Sequence, residues 1–400
     1  FILVVIAVVI HEKMKLKNEI LRKCTTSVLS IAIALSITGC SQLIDLLEND
    51  DDIENPSSET ETVNAYVIGA PWGMGETPNG YVGTLSTSST GDSVVNKTYF
   101  EISKTANKAK LDDDFLYVLH SGSNSLYRID TQATDEENRS KELSLGTNLS
   151  PWGFVINNET AYITNNTAHS VTEVSLSGDM SVVRTFDLPS GSDLTPPEGE
   201  VTYAYPQDIE IIDNKLYVAL TNQNSSRFPV GPGKLAIIDL DTNETSLLDL
   251  TYSNPASFAY SDLYPTLLFV IETGTVWPAD NLAKLEVIDT ETNEIITEEM
   301  IESDSSVIEI GPEGTIYVAS GYGRVDLYKY TFENNLLSSS DIFNIDSFGN
   351  PTDIEIDDEG TIYVSDSSNH KVFVKRQSES AFSSYIVNDA PMDIVLTTID

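Results

Sequence analysis

The chain has 400 residues, room for one large repeat fold or two ordinary domains. Of its 62 acidic and 22 basic residues, two acidic and five basic fall in the first forty positions, which leaves a formal charge of −43 on the rest. Such a surface repels nucleic-acid phosphates and anionic lipid headgroups, so it argues against a phosphate-backbone binder and suits salt solubility, cations or a cationic partner.

In chain order the first element is an address. Residues 1–13 read as an extension upstream of the true start, because Met14 is followed by the basic run Lys15, Lys17, Arg22 and Lys23. Phe1 to Ile10 is apolar but too short to cross a bilayer as a helix. Residues 14–39 then have the layout of an export signal: the basic region, an apolar Val28–Ile37, and small residues ahead of Cys40. Ile37-Thr38-Gly39-Cys40 resembles the bacterial lipobox, and the resemblance implies that Cys40 is diacylated and becomes the mature N-terminus. Ser41 in the next position implies, by the same resemblance, the outer membrane of a Gram-negative envelope. Cys24 would leave with the signal, so the exported domain is expected to have neither disulfide nor thiol chemistry. Residues 40–63 are polar and acidic, too poor in apolar side chains to order themselves, and read as a tether. Its Asn49–Asp52 run lacks the alternating Asp/Asn spacing, central Gly and closing Glu of a calcium loop.

Residues 64–400 repeat one unit seven times. The anchors are Tyr66-Val67, Tyr117-Val118, Tyr162-Ile163, Tyr217-Val218, Phe269-Val270, Tyr317-Val318 and Tyr363-Val364, spaced by 51, 45, 55, 52, 48 and 46 residues. A preceding strand often opens on Pro, as at Pro151, Pro206, Pro255 and Pro351, where a strand's first residue need not donate to the ladder. A following strand runs into a turn, as in Lys234–Asp239 before Asp241-Thr242-Asn243-Glu244 and Lys284–Asp289 before Glu291-Thr292-Asn293-Glu294. Several strands at this period predict an all-β, seven-bladed β-propeller of four-stranded antiparallel blades. The first unit lacks its Pro-led strand, while Ala390–Leu396 is a Pro-led strand with nothing after it. The C-terminal strand is therefore expected to complete the first blade as its innermost strand, which closes the ring and removes two sheet edges.

Pro351-Thr352-Asp353-Ile354, then Asp358-Glu359-Gly360-Thr361-Ile362-Tyr363-Val364-Ser365-Asp366-Ser367-Ser368-Asn369-His370-Lys371-Val372, resembles an NHL repeat. The Ile-Asp-x-x-Thr-Asn-Glu pieces resemble YVTN-type repeats, and together the resemblance covers about 64–398. It implies a propeller; these repeats serve binding proteins and enzymes alike.

With strands lettered a to d from the axis outward, the d-to-a and b-to-c loops share one face. Trp152, Tyr203 and Tyr205 fall in the former; Trp72, Phe228, Trp277 and Tyr322 fall in the latter. Aromatic anchors on loops of a rigid scaffold make this the expected ligand-binding face, with packing at the channel mouth as the plainer alternative. Asp208, Asp353 and Asp393 share the position two after the Pro and point toward the axis. Converging carboxylates are oxygen ligands of the kind Ca²⁺ or Mg²⁺ takes, whereas strand-start aspartates commonly cap backbone N–H groups instead. Beyond the signal, histidines are confined to His120, His169 and His370, placed in loops of separate blades, and no haem, nucleophile-elbow or zinc motif is present.

The expected function is a lipid-anchored envelope propeller that binds a small molecule or an envelope protein, by analogy with capture lipoproteins that feed an outer-membrane transporter. It is expected to be a monomer or part of a transporter complex. The alternative is a metal-dependent hydrolase, lactonase or lyase, for which Glu200, Asn222 and Asp353 would imitate the axial Glu, Asn and Asp of six-bladed lactonases.

Overall fold

The computed structural model describes residues 62–70, 79–87, 93–102, 105–135, 139–196, 198–275, 282–320, 323–346, 349–388 and 390–397. Cys40, Trp72, Trp277 and Tyr322 lie outside these residues, as do the leader and the tether up to residue 61; Thr62 and Val63, expected to end the tether, instead open the strand Thr62–Ala70. The described strands form seven four-stranded antiparallel sheets, each a meander of consecutive strands except the first. The innermost strands of blades one to seven are Ala390–Leu396, Ala106–Asp112, Pro151–Asn157, Pro206–Ile212, Pro255–Ala259, Val307–Ile310 and Pro351–Ile356. All seven Tyr-Val-type anchors lie in the second strand of their blade.

These second strands are near-continuous apolar runs because both of their faces are covered by neighbouring blades. In blade four, Leu216, Val218 and Leu220 pack toward blade three, while Tyr217 and Ala219 pack toward blade five. The core is thus seven apolar wedges, one between each pair of neighbouring blades. Outer strands are polar: in Ser181–Asp187 only Phe186 is buried. The wedge between blades four and five also holds two fully buried carboxyls, Glu272 and Glu286. Burial first, then repulsion from Glu286, pushes Glu272 up to about 10, so it is held protonated at neutral pH.

Blade one is completed by the chain's last strand. Tyr66 pairs with Val395 and Val67 with Ile394, antiparallel. Ile394 also joins Val67, Tyr363 and Val372 in the wedge between blades seven and one. Removing this strand strips a wedge of its inner wall and leaves the inner edge of Thr62–Ala70 unpaired. Deletion of 388–400 is therefore expected to abolish the single cooperative melting transition followed by circular dichroism; a truncated chain that melts as sharply as the full one would refute the closure.

Candidate functional site

Six of the seven inner strands carry the same irregularity. The register with the second strand slips near its first residues, at Ala106/Lys108, Pro151/Phe154, Pro206/Ile209, Pro255/Ser257, Pro351/Asp353 and opposite Ile68/Gly69. A bulge re-aims the side chain beside it and leaves N–H groups without ladder partners. Side chains from the preceding blade supply them. Asp353 Oδ2 accepts from Ile394 N at 2.9 Å, Asp393 Oδ2 from Ala109 N at 2.7 Å, and Asp208 Oδ2 from Phe258 N at 2.8 Å. Each aspartate therefore caps the strand of the next blade around the axis.

Blade three has Gly153 at the corresponding position because nothing larger fits. A Cβ there would lie 2.8 Å from the Gln207 carbonyl oxygen. Thr164 makes the stitch instead, with its hydroxyl donating to Gln207 O at 2.7 Å. Asn107 and Thr352, each one residue ahead of the bulge's key side chain, add bonds to the carbonyls of Trp152 (2.6 Å) and Pro391 (2.8 Å) of the following blades.

Blade two contributes Lys108 in the aspartate column, and this is the residue that the sequence pattern passes over. Its Nζ lies 2.6 Å from Asp393 Oδ1 and 3.3 Å from Asp353 Oδ1. Burial pulls the lysine's pKa down, but the charges of Asp353, Asp393 and Asp208 outweigh it and hold the group well above its ordinary value. Burial pushes Asp393 up to about 7 against the pull of Lys108. The place between two of the three aspartates is thus taken by an ammonium. Among the described residues no group of three His, Cys, Asp or Glu side chains stands ready to hold a metal ion.

A second layer lies two residues farther along the inner strands: Lys110, Glu210, Glu309 and Glu355. Burial, then the charges of Glu309 and Asp353, hold Glu355 well above the carboxylate range, and burial lifts Glu309 to about 7. Burial and Lys108 pull Lys110 down, yet Glu355 and Glu210 raise it overall.

Above this plug opens a cavity of about 700 Å³, walled by Lys108, Asp208, Asp353, Trp152, Gly153, Gln207, Ser257, Thr352, His370 and Met392 among others. Trp152 is 40% exposed at its wall. His370 is presented by the turn of the NHL-like stretch, which Asp366 holds by accepting from Asn350 N (2.9 Å), Ser368 N (3.1 Å) and Asn369 Nδ2 (2.7 Å). The structure thus brings together Trp152, Asp208 and Asp353, with Asp393 beneath them.

Tyr203 and Tyr205 form a separate packed cluster. His169 stacks on Tyr203 at 5.4 Å and meets Tyr205 edge-on at 4.7 Å, its Nδ1 accepting from Tyr205 N at 3.2 Å. The Arg227 guanidinium lies 3.6 Å from the Tyr205 ring centroid. Burial and Arg227 lower the pKa of His169. Phe228 sits 42% exposed on the same loop as Arg227, away from the cavity wall. Asn222 accepts from Thr202 Oγ1 at 2.5 Å and donates to Pro232 O at 2.9 Å, so its amide braces a loop rather than joining Asp353. His120 ends a strand and is fully buried against Tyr127, not in a loop.

Residues 348–374 match the NHL repeat family. The chain matches no curated protein. Among solved structures it resembles a protein from Lactobacillus plantarum (12% identity, 84% of this chain and 100% of that one, TM-score 0.62). It likewise resembles a putative 6-phosphogluconolactonase from Bacteroides fragilis (14%, 86% and 100%, 0.60) and virginiamycin B lyase from Staphylococcus aureus (15%, 71% and 85%, 0.54). At these identities the likeness is one of fold.

Removing one partner of a buried charge cluster strands the others. Lys108→Met is expected to lose about 3 kcal/mol of stability at pH 8. Asp393 already has its pKa raised in the fold, so its contribution is fullest at acid pH and fades as pH rises through about 7. Without Lys108 that carboxyl rises further, so the deficit should shrink toward pH 5, where Asp393 is protonated in both the folded wild type and the folded variant. Urea melts at pH 5 and pH 8 check this; a deficit equal at both pH values would contradict the pairing.

Proposed function

We propose that the chain is an exported, lipid-anchored binding propeller that captures a small molecule in the axial cavity. The observation that carries this reading is the cavity itself. Its volume of about 700 Å³ falls within the range of small-molecule sites, and its floor is a set of charged groups already bound to one another and to backbone. A floor so tied is rigid and suits holding a ligand rather than moving protons. Trp152 offers the exposed aromatic surface that ligand and partner sites favour. The signal ending at Cys40 supports placement on an envelope membrane, and a transporter in that membrane is the natural recipient of a captured molecule.

A lactone-cleaving or lyase activity, suggested by the names of two similar structures, is the second reading. His370 at the cavity wall is the feature in its favour. It stands second because Asp353 and Asp393 spend their oxygens on Lys108 and on strand caps.

Incubation of the full chain with a small-molecule extract, followed by native mass spectrometry, is expected to show a retained mass that Trp152→Ala reduces at least ten-fold in occupancy. Absence of any retained mass, together with turnover of lactones that His370→Ala abolishes, would overturn the binding reading in favour of catalysis.

A further inference from the structure

The geometry points to small organic cations, protonated amines above all, as the ligands of this cavity, seated between the Asp208 carboxylate and the Trp152 ring. This inference rests on the binding reading above and names the chemistry of its ligand.

Among the described lining residues Lys108 is the one lysine or arginine, and it is bound to Asp393 and Asp353. Asp208 has no Lys or Arg within ion-pair distance among the described residues. Its oxygens accept from neutral groups alone: Phe258 N at 2.8 Å, Ile209 N at 2.9 Å and Ser257 Oγ at 3.3 Å. These donors fix the carboxylate in place without neutralising it. The side chain is only partly buried and lines the cavity, so a ligand can reach it.

Its neighbour is set by the close approach of blades three and four. A Cβ built on Gly153 would lie 3.2 Å from Asp208 Oδ1, so the carboxylate rests against the backbone residue that follows Trp152. A carboxylate and an exposed indole lining one cavity are the pair of surfaces that an ammonium group recognises, one by charge-assisted hydrogen bonds and the other through its π face. The hydroxyls of Ser257, Ser306, Ser367 and Thr352 around the same space can accept further N–H bonds.

The competing chemistries fit less well. A neutral ligand would enclose the Asp208 charge without a counter-ion. An anion would meet two lining carboxylates, and the one ammonium among the described lining residues is already taken. The formal charge of −43 beyond residue 40 also draws cations toward any mouth of the protein and repels anions.

The test is an isosteric series at pH 7 and low salt: benzylamine, benzyl alcohol and benzoate, titrated into the full chain by calorimetry or ligand-observed NMR. Benzylamine is expected to bind at least ten-fold tighter than the other two. Asp208→Asn should erase that preference. Because Asp208 also caps Phe258, Gln207→Lys is the second variant: it adds a cation beside Asp208 and leaves the cap intact, and it too should remove the preference. Equal affinities that Trp152→Ala abolishes would overturn the cation inference while leaving the cavity as a binding site. Tighter binding of benzoate, or an amine preference that survives both charge variants, would also overturn it. No binding of any of the three up to about 10 mM, in a chain that still retains a mass from the extract, would overturn the amine seat alone; no binding in either experiment would overturn both readings.

Discussion

The axis of this molecule is crowded with backbone N–H groups that have nowhere to go. Seven inner strands converge there, and a bulge near the start of most of them takes donors out of the ladder. An unpaired donor buried away from water costs as much as a lost hydrogen bond, so each must find an acceptor. The solution is a carboxylate reaching across from the preceding blade, at Asp208, Asp353 and Asp393. Closure of the ring and placement of the acidic residues are one arrangement seen from two sides.

That arrangement creates its own electrostatic problem. Carboxylates brought together at a narrow axis repel one another, and burial raises the pKa of Asp393. One lysine from blade two relieves two of them, and Lys110 serves the layer below. The third carboxylate, Asp208, is held by neutral donors and faces the open end. The cavity's chemistry follows from that: Asp353 and Asp393 share Lys108, whereas Asp208 on blade four has no lysine or arginine within ion-pair distance among the described residues.

Much of this was legible beforehand. The Tyr-Val anchors and their spacing specified seven blades because the second strand of each is covered on both sides and tolerates little but apolar side chains. Ala390–Leu396 revealed itself as the missing inner strand through its Pro and its lack of a successor. The three aspartates were legible as a column, with strand capping weighed against metal binding. What the pattern hid was Lys108: blade two opens on Ala106 rather than Pro, so its inner strand carries no marker, although counting two residues onward would have found a cation among the acids. The separation of Tyr203 and Tyr205 from Trp152 was not legible either. It arises from local contacts of His169 and Arg227, which no periodicity encodes. His120, which the sequence pattern places in a loop, ends a strand: it pairs with Ser125 while its neighbour Leu119 pairs with Leu126 in the wedge toward blade three.

The most direct measurement is residue-resolved hydrogen exchange of the amides of Ala109, Phe258 and Ile394. The account requires all three to exchange only when the whole propeller opens, and requires the Ala109 amide alone to become fast in Asp393→Ala and the Ile394 amide alone in Asp353→Ala. Exchange of these amides in the native chain at the rate of exposed loops would contradict it.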